Sequence, residues 1–140
     1  MRSRTPLMLM EQMMMVLVFA LAAALCLQAF SLSDRLSRGS ADRDRAVVQA
    51  ENAAEAMKHC RGDGSAAAQL TGGAWSGGIL TVGYDGDWEK TDGEPVYTLS
   101  VIPEESGQEK LGEAEVRVTD ADGATLWTMS VAWQEEDFHA

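Results

Sequence analysis

Cysteine is scarce in this chain of 140 residues: there are two, Cys26 and Cys60. Cys26 lies in an apolar run, and a helix joining the pair would hold them about 51 Å apart. A disulfide scaffold is therefore excluded, and Cys60 is left as a free thiol or a pairing site for another chain. Cations are scarce beyond residue 61. Residues 62–140 hold three Lys or Arg against sixteen Asp or Glu, whereas residues 1–61 hold eight against six; the formal charges are −13 and +2 within a total of −11. A phosphate backbone needs a cationic surface, so no nucleic acid is expected as a partner. Also missing is a Ser/His/Asp set, a phosphate loop or a carboxylate pair in a context that supports catalysis. The chain is therefore not expected to be an enzyme, and it is assigned no cofactor and no metal site.

Three local patterns come near a site and are better explained otherwise. Asp85, Asp87, Glu89 and Asp92 depart from a calcium loop because Lys90 holds its Gly position and Val96 its last Glu position. They read as a solvent-exposed acidic turn, and Asp120 and Asp122 read as a hairpin in preference to a weak calcium loop. Arg61, Gly62 and Asp63 spell an adhesion tripeptide, but Gly62 already has a role as a helix stop. His59 and Cys60 are neighbours on a helix, where adjacent side chains point about 100° apart, so they do not converge on a metal.

What the chain does have in quantity is apolar sequence, concentrated at its front. Residues 6–30, PLMLMEQMMMVLVFALAAALCLQAF, are apolar apart from Glu11, Gln12 and Gln28. Residues 13–30 alone would make about 27 Å of helix, close to the roughly 30 Å of a hydrocarbon core, and neither Pro nor Gly interrupts them. A single span is expected, giving a single-pass membrane protein with its C-terminal domain outside the cytoplasm. A cleaved secretory signal would use Arg2 and Arg4 as its basic region, but AAAL and LQAF offer no clear small-x-small exit. Leu25 before Cys26 argues against a lipoprotein signal. A plain signal anchor would place Glu11 and Gln12 at the interface, where a carboxylate costs far less than the about 2.5–3.5 kcal/mol of a helix centre. Arg35, Arg38, Arg43 and Arg45 follow the span just as Arg2 and Arg4 precede it, so flanking charge alone sets no orientation.

A short basic leader with Arg2 and Arg4, followed by a long apolar helix with Glu11 near its start, resembles the N-terminus of type IV pilins and pseudopilins. In that family the glutamate is the fifth mature residue. The resemblance therefore implies a prepilin-type processing site with Pro6 before the cut and Leu7 after it, where the family usually has Gly and often Phe or Met. It implies an assembly role for Glu11 in a type IV pilus or type II secretion-like filament. The partners it implies are other pilin-like subunits, membrane assembly machinery and the lipid bilayer. The physical logic is independent of the family: a carboxylate near lipid is tolerable when a cation lies within about 4–6 Å. In a filament a neighbour's N-terminal amine is one source; without cleavage at Pro6, a neighbour's Arg4 is the other.

After Phe30 the chain stays helix-compatible to Arg61. Val47, Ala50, Ala54 and Met57 mark one apolar face, joined by Ala53 and Leu36, and Gly39 and Ser40 mark an expected bend. Lys58, His59 and Arg61 supply cations to the last turn before Gly62 and Gly64. The Gly-rich stretch 62–78 reads as a loop. Then the period becomes two, in Leu80, Val82 and Tyr84; in Tyr97, Leu99 and Val101; in Ala114, Val116 and Val118; and in Trp127, Met129, Val131 and Trp133. Trp127 and Trp133 read as core, while Trp75 and Trp88 are less constrained and read as single exposed aromatics in preference to the rim of an interaction surface.

The expectation is an α+β, pilin-like fold: a long N-terminal helix, transmembrane and then amphipathic, packed on a roughly four-stranded antiparallel sheet. Its parts are a leader at 1–6, a transmembrane helix at 7–30, an amphipathic stem at 31–61, the loop at 62–78 and an acidic β domain at 79–140. The functional expectation is a non-enzymatic filament subunit. The alternative is a single-pass anchored or secreted small β-rich binding domain in which Glu11 has no special role.

Overall fold

In the C-terminal part of the chain, alternation along each strand decides which side chains leave water. Leu80, Val82 and Tyr84 are buried, as are Leu99 and Val101, and Ala114, Val116 and Val118, while the residues between them are polar or glycine and more open. The computed structural model describes residues 4–135 and divides the chain into two units, Met1–Ser40 and Ala41–Ala140. Arg2, part of the expected leader, lies outside the described residues, as do residues 136–140 of the expected β domain. The elements are α1 (Thr5–His59), α2 (Gly64–Thr71), β1 (Ala74–Ser76), β2 (Ile79–Tyr84), β3 (Tyr97–Glu104), β4 (Leu111–Asp120) and β5 (Thr125–Gln134). The strands form one antiparallel sheet in sequence order, β1-β2-β3-β4-β5.

From Thr5 onward the first unit is helix. Helical structure runs through Gly39 and Ser40, so the helix is not broken there. Helix on both sides supports the stretch, because an interior residue adds to an existing nucleus. Its intrinsic preference is nonetheless poor: residues 31–41 contain four Ser, one Asp and one Gly, together about 3–4 kcal/mol less helix-favouring than alanine. One exposed ion pair, Arg38 Nη2 to Asp34 Oδ2 at 3.1 Å, supports it at i, i+4 spacing. Leu36 is exposed, which corrects its assignment to the stem's apolar face.

In the second unit the last part of α1 packs on the sheet through Ala46, Ala50, Ala53, Ala54 and Met57, all buried. Four of these five side chains are alanine, which leaves the volume between helix and sheet to the sheet's larger side chains, and Met57 is the one large side chain the helix adds to the core. Val47, expected on this face, is half-buried at its margin. The sheet supplies the larger side chains, Leu80, Leu99, Val82, Val101, Val116 and Val118. Each stabilises the fold by about 1.5–3 kcal/mol through loss of apolar surface.

α1 stops where the sequence places the stop, though by a different residue. The Gly62 N–H donates to the Met57 carbonyl at 3.0 Å, and the Arg61 N–H donates to the Lys58 carbonyl at 3.1 Å. These are the two bonds of a Schellman motif, with Arg61 in its left-handed position at φ 51°. Gly62 is needed for two reasons: its φ is +82°, and the Trp133 indole occupies the place a β-carbon would take. The same indole covers Gly112, its cross-strand partner.

The expected loop at 62–78 contains a helix and a strand, so the sheet has five strands rather than four. Asp63 caps α2, its Oδ1 accepting from Ser65 N at 3.0 Å and Ala66 N at 3.2 Å, and three consecutive alanines propagate the turn. Gly77 and Gly78, both with positive φ, make the two-residue turn that pairs Ser76 with Ile79. The glycine pairs of this expected loop thus serve as a helix C-cap, at Gly72 with φ 72°, and as a tight turn, at Gly77 and Gly78.

Candidate functional site

The candidate site is the apolar part of α1. From Leu7 to Phe30 its large side chains are exposed, from 57% at Leu17 to 80% at Phe30. The helix contains an 18-residue window of mean hydropathy 2.4, none of it buried, and is long and apolar enough to cross a membrane; a signal sequence satisfies the same test. Pro6 sits in the first helical turn, where its missing N–H deprives no intrahelical bond, and Leu7 follows it. Nothing in the backbone at Pro6 and Leu7 departs from helix.

Glu11 lies on a shallow apolar strip with Met14, Met15, Val18, Phe19 and Ala22. Among the described residues it has no ion-pair or hydrogen-bond partner. Arg4, the described cation nearest in sequence, precedes it by seven residues, two helical turns or about 10.5 Å along the axis. That separation is too long for an ion pair within one chain. A neighbouring helix displaced by about the same amount would bring its own Arg4 level with Glu11. The surrounding strip has methionine at two of its positions, and a thioether side chain adapts to an irregular facing surface.

The acidic turns have structural occupations. Asp85 Oδ1 accepts from Asp87 N at 2.9 Å and Glu89 N at 3.0 Å, and Asp120 Oδ1 accepts from Asp122 N at 3.0 Å and Ala124 N at 2.8 Å. Both carboxylates therefore hold their own turns. No group of three or more His, Cys, Asp or Glu among the described residues is arranged to hold a metal. Cys26 is exposed and Cys60 half-buried, and both are free.

A cluster that sequence reading missed joins the stem to the sheet. Trp88 is buried, stacks on Tyr97 with ring centroids 4.0 Å apart and planes 11° apart, and meets Tyr84 at 5.9 Å. Its indole N–H donates to Asp42 Oδ1 at 3.3 Å, and the Tyr84 hydroxyl donates to Gln49 Oε1 at 3.2 Å. Burial raises the Tyr97 hydroxyl above its ordinary pKa, and the Asp42 charge with its hydrogen bond acts in the same direction. Burial also raises Tyr84. Asp42 and Gln49 are seven residues apart on α1, the period that puts two polar groups on one helix face. That spacing was the available signal, but it acquires meaning only once Tyr84 and Trp88 are known to face it. Beside this cluster a cleft of about 330 Å³ is lined by Gln49, Asn52, Leu70, Thr71, Tyr84 and Lys90 among others.

Compared with protein-family models, with curated proteins and with solved structures, the chain matches none.

Proposed function

We propose that the chain is a pilin-like or pseudopilin-like subunit, held in the membrane by residues 7–30 with its acidic sheet domain outside the cytoplasm. It assembles laterally with like subunits through that helix. The observation that carries the reading is Glu11: one carboxylate in the apolar part of a long helix, with no ion-pair partner among the described residues. A buried or lipid-facing carboxylate is stabilised by an external cation, and a neighbour's Arg4 or free N-terminal amine meets that need when subunits are staggered. The pair then fixes register as well as charge. The cation-poor sheet domain suits a solvated exterior, and catalysis has no part in this function.

Glu11→Ala tests the assembly role directly. Co-purification of the variant with its neighbouring subunits falls at least about tenfold, as expected for loss of a charge pair in a low-dielectric setting, while its insertion in the membrane is retained. Unchanged co-purification removes the special role of Glu11 and leaves plain anchoring. Intact-mass measurement of the mature protein decides processing. A cut after Pro6 yields Leu7 as the first residue and an amine as the partner cation; an uncut chain leaves Arg4. A cut within residues 24–29 would discard the assembly helix and leave a secreted β-rich binding domain, overturning the proposal.

A further inference from the structure

α1 draws support from two different surroundings, and one stretch of it has neither. Downstream, packing begins at Asp42, which receives the Trp88 indole, and continues through Ala46 to Met57. Upstream, the apolar run ends at Phe30. Between them, every residue from 31 to 41 is exposed, and a β-carbon added at Gly39 would meet nothing within 4 Å. The side-chain support found in this stretch is the Asp34–Arg38 ion pair, itself 54–79% exposed. Such pairs add little in water.

We propose that residues 31–41 form a conformational joint: the part of α1 that opens and recloses locally while the helix before and after it stays formed. Six of its eleven residues are Ser, Asp or Gly. Ser and Asp side chains compete for the backbone in non-helical conformations, and Gly gains the most backbone entropy on opening. Opening the middle of a free helix is opposed by cooperativity, because each remaining piece must be held on its own. Here each piece has its own support. A bilayer forbids opening of residues 13–30, since unpaired backbone groups in hydrocarbon have no water to satisfy them. The sheet holds residues 46–57 by burial. Opening is therefore confined to the water-exposed interval, and it lets the sheet domain turn without disturbing either end. The inference rests on the membrane-anchored part of the proposed function and is independent of filament assembly.

Hydrogen exchange on the full chain in lipid nanodiscs reads this directly, with the variant Ser37→Ala/Gly39→Ala/Ser40→Ala as its partner. Amides of residues 33–41 are expected to exchange at least about tenfold faster than those of residues 46–57, and the triple alanine variant is expected to slow them by about the same factor while leaving 46–57 unchanged. Protection of 33–41 within about threefold of 46–57 overturns the joint, as does a triple variant that exchanges as fast as its parent. Fast exchange throughout residues 13–30 also overturns it, and is distinguishable because it shows the anchor itself to be unprotected.

Discussion

The two ends of α1 obey one backbone geometry and opposite rules of side-chain size. Between residues 7 and 30 the helix carries Met, Leu, Val and Phe on all sides, and these are exposed; between residues 46 and 57 its buried positions are four alanines and one methionine. Large apolar side chains all round suit lipid or other helices, where association depends on contact area and shape. Small ones on a single stripe suit a sheet that already provides Leu and Val, because two facing layers of large side chains would overfill the core between them. Helical character therefore says little about what a helix is for; the size and distribution of its apolar side chains say more.

Substitutions can break this comparison at either end. The largest effect is expected in the sheet core: Leu99→Ala removes a fully buried side chain and should lower the stability of the sheet domain by about 2–5 kcal/mol, read from denaturant unfolding of the full chain in detergent. Next is a matched pair of insertions. Ala50→Leu forces extra volume between helix and sheet and should cost about 1–3 kcal/mol, whereas Ala23→Leu in the exposed apolar run should leave unfolding of the sheet domain unchanged. Equal effects at the two alanines would show that the two regimes of α1 are not distinct.

Smaller effects sharpen the boundary at Asp42. Trp88→Phe keeps an aromatic ring beside Tyr97 but removes the indole donor to Asp42, and a loss of about 1–2 kcal/mol in thermal or denaturant unfolding is expected. The smallest is a pH effect. Tyr97 has a folded-state pKa raised by burial and by Asp42, so its contribution is fully present below the ordinary tyrosine pKa of about 10 and is lost as pH rises through the raised value. Unfolding midpoints should therefore fall on the alkaline side of pH 10, and Tyr97→Phe should flatten that fall; Tyr84, raised by burial in the same direction, should supply what remains. An alkaline limb identical in parent and Tyr97→Phe would remove Tyr97 from this account.

Legibility followed the physical range of each signal. Period-two alternation in Leu80, Val82 and Tyr84 or in Ala114, Val116 and Val118 is local, and these strands lie where the pattern predicts. The helix stop near Arg61 was likewise readable from its cations and glycines. Residues 62–78 were not, because an eight-residue helix and a three-residue strand are too short to show a period, and their glycines carry opposite meanings in a loop and a tight turn. Trp88, read as exposed, is buried for a different reason: its partners, Asp42 and Tyr97, are distant in sequence and meet it only across the packed stem and sheet. Of the candidate site, Glu11 and its apolar surroundings were legible at once, since both are properties of one unbranched helix.

What the sequence by itself determined is the division of the chain: an apolar front containing one carboxylate, an amphipathic continuation, and an acidic region of alternating strands. These are one-dimensional patterns of hydropathy and charge, and each states its environment without reference to a distant residue. Only the tertiary structure decided which glycines make room for Trp133, which aromatic residue fastens the stem, and that a fifth strand completes the sheet. Those outcomes depend on volumes and hydrogen bonds between residues brought together by folding, and no local pattern encodes such a meeting.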